Sequence, residues 1–373
     1  MKINDFKLEV FFEEWEFKAK YLISSSDMQT ITVEELLKYE TGSLDKLLKL
    51  SMGYTEVPGD PELRGEIAKL YTTIDTNHII VHAGAEEAIF NILRSMVQSG
   101  DHMVSMFPAY QSSYDVPKSV GCEVTPWKLK VKDKKWTIDL QELKDAIRPN
   151  TKLIYINSPN NPTGFTLSEE EINEIVKIAK EHDIFILSDE VYYGLEFDGH
   201  RRPAIVDLYD KGISINVMSK TYGMAGLRIG WTVCKDQWVN EIITRAKHYT
   251  TVCNSCASEF LATVALRNSK EIVERNSKIV KKNYQIALDF FAKYNDTFEY
   301  IPPQGGTIAF VKMNIDKNID DFCTELVREK GVVLLSSKLF DTEGQYFRLG
   351  IGRENFSECL DQFENYLIER KYV

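Results

Sequence analysis

Seven short apolar runs punctuate the middle of this 373-residue chain: His78–Val81, Met103–Phe107, Glu123–Trp127, Leu153–Asn157, Ile184–Ser188, Ile213–Met218 and Gly230–Cys234. Helix-like stretches such as Ala85–Gln98 and Glu169–His182 separate several of them. Short apolar runs bounded by turn residues read as strands buried on both faces. Strands that alternate with helices predict an α/β fold, a mainly parallel sheet covered by helices on each side. Such a sheet binds its ligand in the crevice beyond the carboxyl ends of its strands, so the polar residues that follow each run are the candidates for function.

Outside this region the pattern changes. Beyond about Ser255 the chain reads as helical through Phe290, then as shorter strands near Gly305–Val311, Val332–Leu335 and Phe347–Ile351, and as a last helix from Phe356. That predicts a separate, smaller α+β lobe. The first fifty residues hold two amphipathic stretches, around Phe11–Tyr21 and Val33–Leu50, with too little apolar content to form a domain alone. We expect residues 1–50 to pack on the smaller lobe or cover the crevice, 51–260 to form a large domain, and 261–373 to form the small carboxy-terminal domain. With 43% hydrophobic residues the chain can bury cores of that size. No internal repeat or low-complexity linker marks the boundaries.

Charge and composition narrow the function classes. A formal net charge of -11 opposes a long phosphate backbone, so nucleic acid is not an expected partner. The most basic run, Lys128 to Lys135, alternates Lys with apolar residues and reads as a solvated strand edge and turn. No stretch reaches the roughly 20 apolar residues of a membrane span, and Met1 to Glu16 has no apolar leader core, so a cytoplasmic protein is the default expectation. Six cysteines are too sparse for a disulfide scaffold, and the CxxC at Cys253 to Cys256 lacks a second pair to complete a zinc site. His78 and His82 mimic a metal-binding i,i+4 pair, but in a strand they would stand about 13 Å apart.

The residues after the strand-like runs carry chemistry. Lys220, in Met218-Ser219-Lys220-Thr221-Tyr222-Gly223, could form an imine with an aldehyde and then serve as a general base. That role needs a pKa well below the free value of about 10.4, and taken alone such a lysine reads first as a snorkelling surface group. Eight residues on, Arg228 lies in Gly226-Leu227-Arg228-Ile229-Gly230, where glycines allow close backbone approach to an anion. Gly84-Ala85-Glu86 is a second anion element, a strand-to-helix turn with free backbone N–H groups. Asp189 ends a buried run, which is costly unless the carboxylate is paired, and a protonated pyridine nitrogen is such a partner. Tyr192 follows three residues later. The two prolines of Ser158-Pro159-Asn160-Asn161-Pro162-Thr163-Gly164 fix a turn that presents Asn161 inward, and Tyr110 after Pro108-Ala109 offers a stacking face.

In this order and spacing, Asn-Asn-Pro-Thr-Gly, Ser-Asp-Glu-Val-Tyr, Ser-Lys and Gly-Leu-Arg-Ile-Gly resemble the fold-type I pyridoxal 5'-phosphate enzymes, specifically the class I/II aminotransferases, over nearly the whole chain. The resemblance implies an aspartate aminotransferase-like fold, with the seven-stranded, mainly parallel sheet in the large domain. By it Lys220 is the Schiff-base lysine, Asp189 the partner of the pyridine nitrogen, Asn161 and Tyr192 partners of the phenolic oxygen, and Tyr110 the stacking ring. Arg228, Gly84, Ala85, Glu86 and Ser219 belong to the phosphate site. Arg348, in Tyr346-Phe347-Arg348-Leu349-Gly350, matches the arginine that grips the substrate α-carboxylate, with Asn161 and Ser25 beside it. Tyr54 matches the tyrosine that reaches the phosphate of a neighbouring subunit, which implies a homodimer with shared active sites. The implied activity is exchange of an amino group between an L-amino acid and a 2-oxo acid.

One position departs from the family pattern: Val217 stands three residues before the lysine, where a Ser or Thr phosphate ligand is usual. A second resemblance bears on the reaction. Phe12 to Trp15, Ala19 to Tyr21, Ile23 to Ser26 and the loop Lys220 to Arg228 are similar to the capreomycidine synthase group, which cyclises a hydroxylated arginine, so elimination or ring closure stands as an alternative to amino transfer. A non-catalytic binding protein on this fold is a third alternative, and the intact polar set argues against it.

Overall fold

The computed structural model describes residues 2–373. Its strands are β1 (Ile79–His82), β2 (His102–Phe107), β3 (Glu123–Lys128), β4 (Lys130–Lys132), β5 (Lys135–Thr137), β6 (Thr151–Asn157), β7 (Phe185–Asp189), β8 (Gly212–Val217), β9 (Gly230–Cys234), β10 (Phe298–Glu299), β11 (Ile308–Met313), β12 (Leu335–Ser336) and β13 (Tyr346–Gly350). The seven apolar runs of the middle region are the seven strands of one sheet, in the order β1-β9-β8-β7-β6-β2-β3, with ends displaced by at most two residues. Neighbours from β8 to β3 pair in parallel, and β9 runs antiparallel to both β8 and β1. The expected mainly parallel sheet is therefore present, with one reversed strand inside it.

Helices cover the sheet because their apolar residues recur at helical spacing. In Glu169–Glu181 the buried residues are Ile172, Ile175, Val176, Ile178 and Ala179. Ser168 starts that helix with a capping box: its hydroxyl accepts from the Glu171 N–H at 3.2 Å, and the Glu171 carboxylate accepts from the Ser168 N–H at 2.7 Å. Each large side chain so buried contributes about 1.5–3 kcal/mol. Asp183, at φ 56°, ends the helical path.

The carboxy-terminal region builds an antiparallel sheet in the order β10-β11-β13-β12, backed by the helices Ile319–Lys330 and Phe356–Glu369. The chain from Tyr21 to Gln29 runs beside this sheet. Tyr21 bridges Val332, the Ile23 carbonyl accepts from the Gly350 N–H at 2.7 Å, and the Gly352 carbonyl accepts from the Gln29 N–H at 2.8 Å. Before it, the helix Lys7–Trp15 lies across the crevice, with Leu8 buried and Phe11, Phe12 and Trp15 packed on the core of the large sheet. The basic run forms the β4–β5 hairpin, which turns at Asp133 and Lys134 with positive φ.

His82 is buried against the Thr232 hydroxyl, 3.2 Å away, whereas His78 caps a separate turn near Asp75. The cysteines are free thiols, with Cys122, Cys234, Cys323 and Cys359 buried. Among the described residues no helix is long and apolar enough to cross a membrane.

Candidate active site

The crevice beyond the carboxyl ends of the parallel strands holds a cavity of about 570 Å³. Five of the parallel strands deliver groups to it. After β1 the chain turns at Gly84 into the helix Ala85–Met96; after β2 comes Tyr110; after β6, Asn161; β7 ends on Asp189 and leads to Tyr192; after β8 come Ser219 and Lys220. The reversed strand β9 starts at this same edge, so Arg228, just ahead of it, arrives beside the others. From the smaller sheet, β13 contributes Arg348, and the amino-terminal segment contributes Ser25.

Asp189 forms the floor. Its carboxylate accepts from the Tyr155 hydroxyl at 3.0 Å and from the Val191 N–H at 3.3 Å. Burial pushes its pKa up to about 6, against the pull of those two donors. Lys220 donates to the Ser26 hydroxyl at 2.8 Å, and burial draws its ammonium below the ordinary lysine value although Asp27 opposes this.

Arg348 is only 1% exposed. Its Nε donates to the Ser24 carbonyl and its Nη1 to the Asn161 side-chain oxygen, both at 3.0 Å, and the guanidinium lies over the Phe340 ring. Arg348 also lines the cavity. Gly350 permits the close approach of the two segments here, because a Cβ would stand 2.0 Å from the Ser25 carbonyl oxygen. Asn161 is itself held by its own N–H, which donates to the Asn157 side-chain oxygen at 2.6 Å.

The anion end is built from backbone. Gly84 adopts φ +92°, and a Cβ there would meet the Arg228 Nη2 at 2.4 Å. The Gly84 N–H donates to the His82 carbonyl inside the turn, which leaves the N–H groups of Ala85 and Glu86, at the start of the helix, for a ligand. The Glu86 carboxyl also lines the cavity, accepts from the Ser112 hydroxyl at 3.1 Å, and is pushed up to about 8 by burial. Val217 lines the cavity and contributes no hydroxyl.

All of the expected site residues except Gly84 and Tyr54 line this one cavity, and Gly84 lies against Arg228. Tyr54 stands 96% exposed, away from the cavity of its own chain. Several lining or supporting groups were not anticipated. Asn157 and Tyr155 sit inside an apolar run and look like core. Ser26, Asp27, Glu9 and Glu16 are far away in sequence, and only the fold of the amino-terminal segment brings them in. Tyr110, whose hydroxyl donates to Glu9 at 2.5 Å, packs on Phe6 at 4.8 Å between ring centres.

The sequence pattern of aminotransferase class I and II matches residues 25–358. The chain belongs to this family. A solved structure of a PLP-dependent aminotransferase from Streptococcus suis superposes with a TM-score of 0.93 at 34% identity, covering 100% of this chain and 99% of that one. Capreomycidine synthase of Streptomyces vinaceus is 27% identical over 352 residues, 92% of this chain and 88% of that protein. Aspartate aminotransferase of Sulfolobus acidocaldarius is 28% identical over 333 residues, 83% of this chain and 82% of that protein. The fold is that of the aspartate aminotransferase-like enzymes, and the cofactor of this family member is pyridoxal phosphate.

The residues present fit that cofactor. The Tyr192 hydroxyl is buried, 1% of the residue being exposed, with no hydrogen-bond partner of good geometry among the described residues, and Tyr192 lines the same cavity as Lys220. A buried donor without a partner is costly, and a ligand oxygen would satisfy it. The Gly84 turn and Arg228 supply an anion site at one end, and a buried carboxylate supplies a cation site at the floor.

Proposed function

We propose that this protein transfers the amino group of an L-amino acid to a 2-oxo acid, with Lys220 as covalent anchor and proton carrier. One observation carries the reading: the half-buried Lys220 amine and the buried Arg348 guanidinium face one cavity whose floor is the Asp189 carboxylate. Bound pyridoxal phosphate supplies an aldehyde that condenses with amines and an electron-poor ring that stabilises negative charge at the substrate Cα. Arg228, Ser219 and the Ala85 and Glu86 N–H groups hold its phosphate. Tyr192 and Asn161 serve its phenolic oxygen, Asp189 its ring nitrogen, and Tyr110 its face.

Arg348 binds the substrate carboxylate, with Asn161, Ser24 and the Phe340 ring fixing the guanidinium plane. Ser25 lines the same end. Burial favours the neutral form of Lys220, which both adds to a carbonyl and accepts a proton from Cα. Ser26 holds Nζ in place meanwhile. Tyr155 and Val191 orient the Asp189 carboxylate and favour its charged form.

The reading extends to a cytoplasmic homodimer with shared sites, in which Tyr54 reaches the phosphate of the other subunit. Leu48, Met52, Tyr54 and Tyr249 support it, since large apolar side chains this exposed mark a surface for contact. Residues 51–260 act as the large domain, 261–373 as the small one, and 1–50 as the cover of the site.

Elimination or ring closure on an amino acid is the second reading, and the acidic wall favours it. Glu9, Glu16 and Asp27 line the cavity beside Lys220, offering carboxylates beyond those that amino transfer requires. Incubating the holoenzyme with a panel of amino acids separates the two. Amino transfer yields one 2-oxo acid per site and converts the bound cofactor to its amine form. Ammonia or a cyclic product, with no 2-oxo acid, would overturn it in favour of the second reading.

A further inference from the structure

Behind the anion turn lies a buried charged cluster that the mechanism does not use. Lys247, the last residue of the helix Gln237–Lys247, is fully buried. Its Nζ donates to the Thr251 hydroxyl at 2.7 Å and to the Asn254 side-chain oxygen at 3.1 Å, and stands 3.8 Å from a Glu87 carboxylate oxygen. Glu87 is saturated: one oxygen accepts from the Ala83 N–H at 2.6 Å, the other from the hydroxyls of Thr250 at 2.5 Å and Thr251 at 2.7 Å. Burial pushes the Glu87 carboxyl up, but these hydrogen bonds outweigh it and leave it below the usual range. Burial lowers Lys247 against the pull of Glu87 and Glu259, and holds neighbouring His82 neutral, at about 3.

The cluster touches two functional surfaces at once. On one side Glu87 accepts from the Ala83 N–H, so the cluster holds the residue that leads into Gly84 and Ala85, while Arg228 Nη2 donates to the Ala83 carbonyl at 3.4 Å from the site side. On the other side Thr250, Thr251 and Asn254 belong to the loop that exposes Tyr249 and Val252, the latter at φ 64°. The Asn254 carbonyl accepts from the Thr55 hydroxyl at 3.3 Å, one residue from exposed Tyr54. Neither Lys247 nor Glu87 lines the cavity.

We propose that Lys247 and Glu87 are positioning residues: their cluster shapes the Ala83–Ala85 turn for an anion and, from its far side, shapes the exposed Tyr249–Asn254 loop, so that cofactor retention and docking of a second copy of this chain are linked. The inference rests on the reading that this turn takes the cofactor phosphate and that the exposed face meets a second copy. Removing one charged hydrogen-bonding partner leaves the other buried and uncompensated, and both surfaces relax together.

The experiment uses the holoenzyme and three substitutions, Lys247→Met, Glu87→Ala and the conservative Glu87→Gln, with exposed Thr250→Val as a fourth that leaves the core intact. Two quantities are read: the rate at which pyridoxal phosphate is lost to a scavenger, followed by absorbance, and the subunit dissociation constant from sedimentation. Lys247→Met and Glu87→Ala are expected to raise both by about tenfold or more, and Thr250→Val by roughly threefold to fivefold. Glu87→Gln, which keeps an oxygen for the Ala83 N–H but loses the charge opposite Lys247, should fall between wild type and Glu87→Ala in both quantities. Folded variants with lower melting temperatures but unchanged release and dissociation would reduce the cluster to core packing and overturn the proposal. Movement of one quantity without the other would overturn the linkage. A wild-type protein that retains no pyridoxal phosphate, or stays monomeric, would instead sink the reading on which the proposal stands.

Discussion

Tyr155→Phe removes one hydroxyl and leaves the shape of the strand unchanged, so its effect isolates the hydrogen bond to Asp189. In the wild type two donors face this buried carboxylate, Tyr155 at 3.0 Å and Val191 at 3.3 Å, and burial already holds its pKa at about 6. A hydrogen bond to a charged group contributes about 1.5–3 kcal/mol and one to a neutral group about 1 kcal/mol. The difference raises the Asp189 pKa by about one unit, to about 7, at 1.36 kcal/mol per unit. The unfolded aspartate ionises near 3.9, so the folded value is the higher one, and the unfolded chain gives up its proton first. Stability from this group is therefore full below about pH 4 and falls as pH rises through the folded pKa, near 6 in the wild type and near 7 in the variant. Urea unfolding of the cofactor-free protein at pH 5 and pH 9 measures the difference, because every other titration cancels between the two proteins. The expected destabilisation is about 1 kcal/mol at pH 5 and about 2–3 kcal/mol at pH 9. A pH-independent difference would refute the claim that this hydroxyl serves the charged carboxylate.

Lys220→Ala should abolish the visible absorption band of the cofactor bound through lysine; an unchanged spectrum would remove Lys220 from its assigned role. Arg348→Lys keeps the charge but loses the planar fork, and we expect kcat/KM for amino acids to fall by about a hundredfold, with little change for amines that lack a carboxylate. Gly84→Ala places a Cβ against Arg228 at a φ that L side chains rarely adopt, and should weaken retention of pyridoxal phosphate by at least about tenfold, read by equilibrium dialysis. Ser168→Ala, remote from the cavity, should lower stability by about 1 kcal/mol in urea unfolding and leave turnover unchanged.

Much of the fold is legible in the sequence because strands buried on both faces must be apolar throughout, and that pattern survives whatever the helices do. The polar residues that end those strands are equally visible, since a charge such as Asp189 is conspicuous beside Ile186 and Leu187. The helix Ser112–Ser119 is not legible: Ser, Asp and an internal Pro117 are poor helix formers, and its six buried residues are held by packing rather than propensity. The helix Ile319–Lys330 likewise escaped reading, although Asn318 caps it with the usual side-chain bond to Asp320. Tyr155 was hidden for the opposite reason. An aromatic in an apolar strand reads as core, and only the register that sets β6 beside β7 shows that its hydroxyl meets a carboxylate. The acidic wall of Glu9, Glu16 and Asp27 depends on where the first helix docks, which no local pattern encodes.

Most groups of this site ride on separate strands, each joined to the next by a helix and its loops, so loop lengths could drift over time and shift one group against another. Lys220 and Arg228 are different. They share the turn between antiparallel β8 and β9, pinned where the Met218 N–H donates to the Ile229 carbonyl and the Met224 N–H to the Met218 carbonyl, each at 2.9 Å. A Cβ on Gly223, inside that turn, would come within 2.7 Å of the Gln29 carbonyl oxygen, so the amino-terminal segment presses on it from outside. The covalent anchor and the anion clamp thus form one caliper of set span. Single-residue insertions should be tolerated in the surface loops of this protein and fail between residues 220 and 228, where a change in length would alter the size of molecule the caliper can grip.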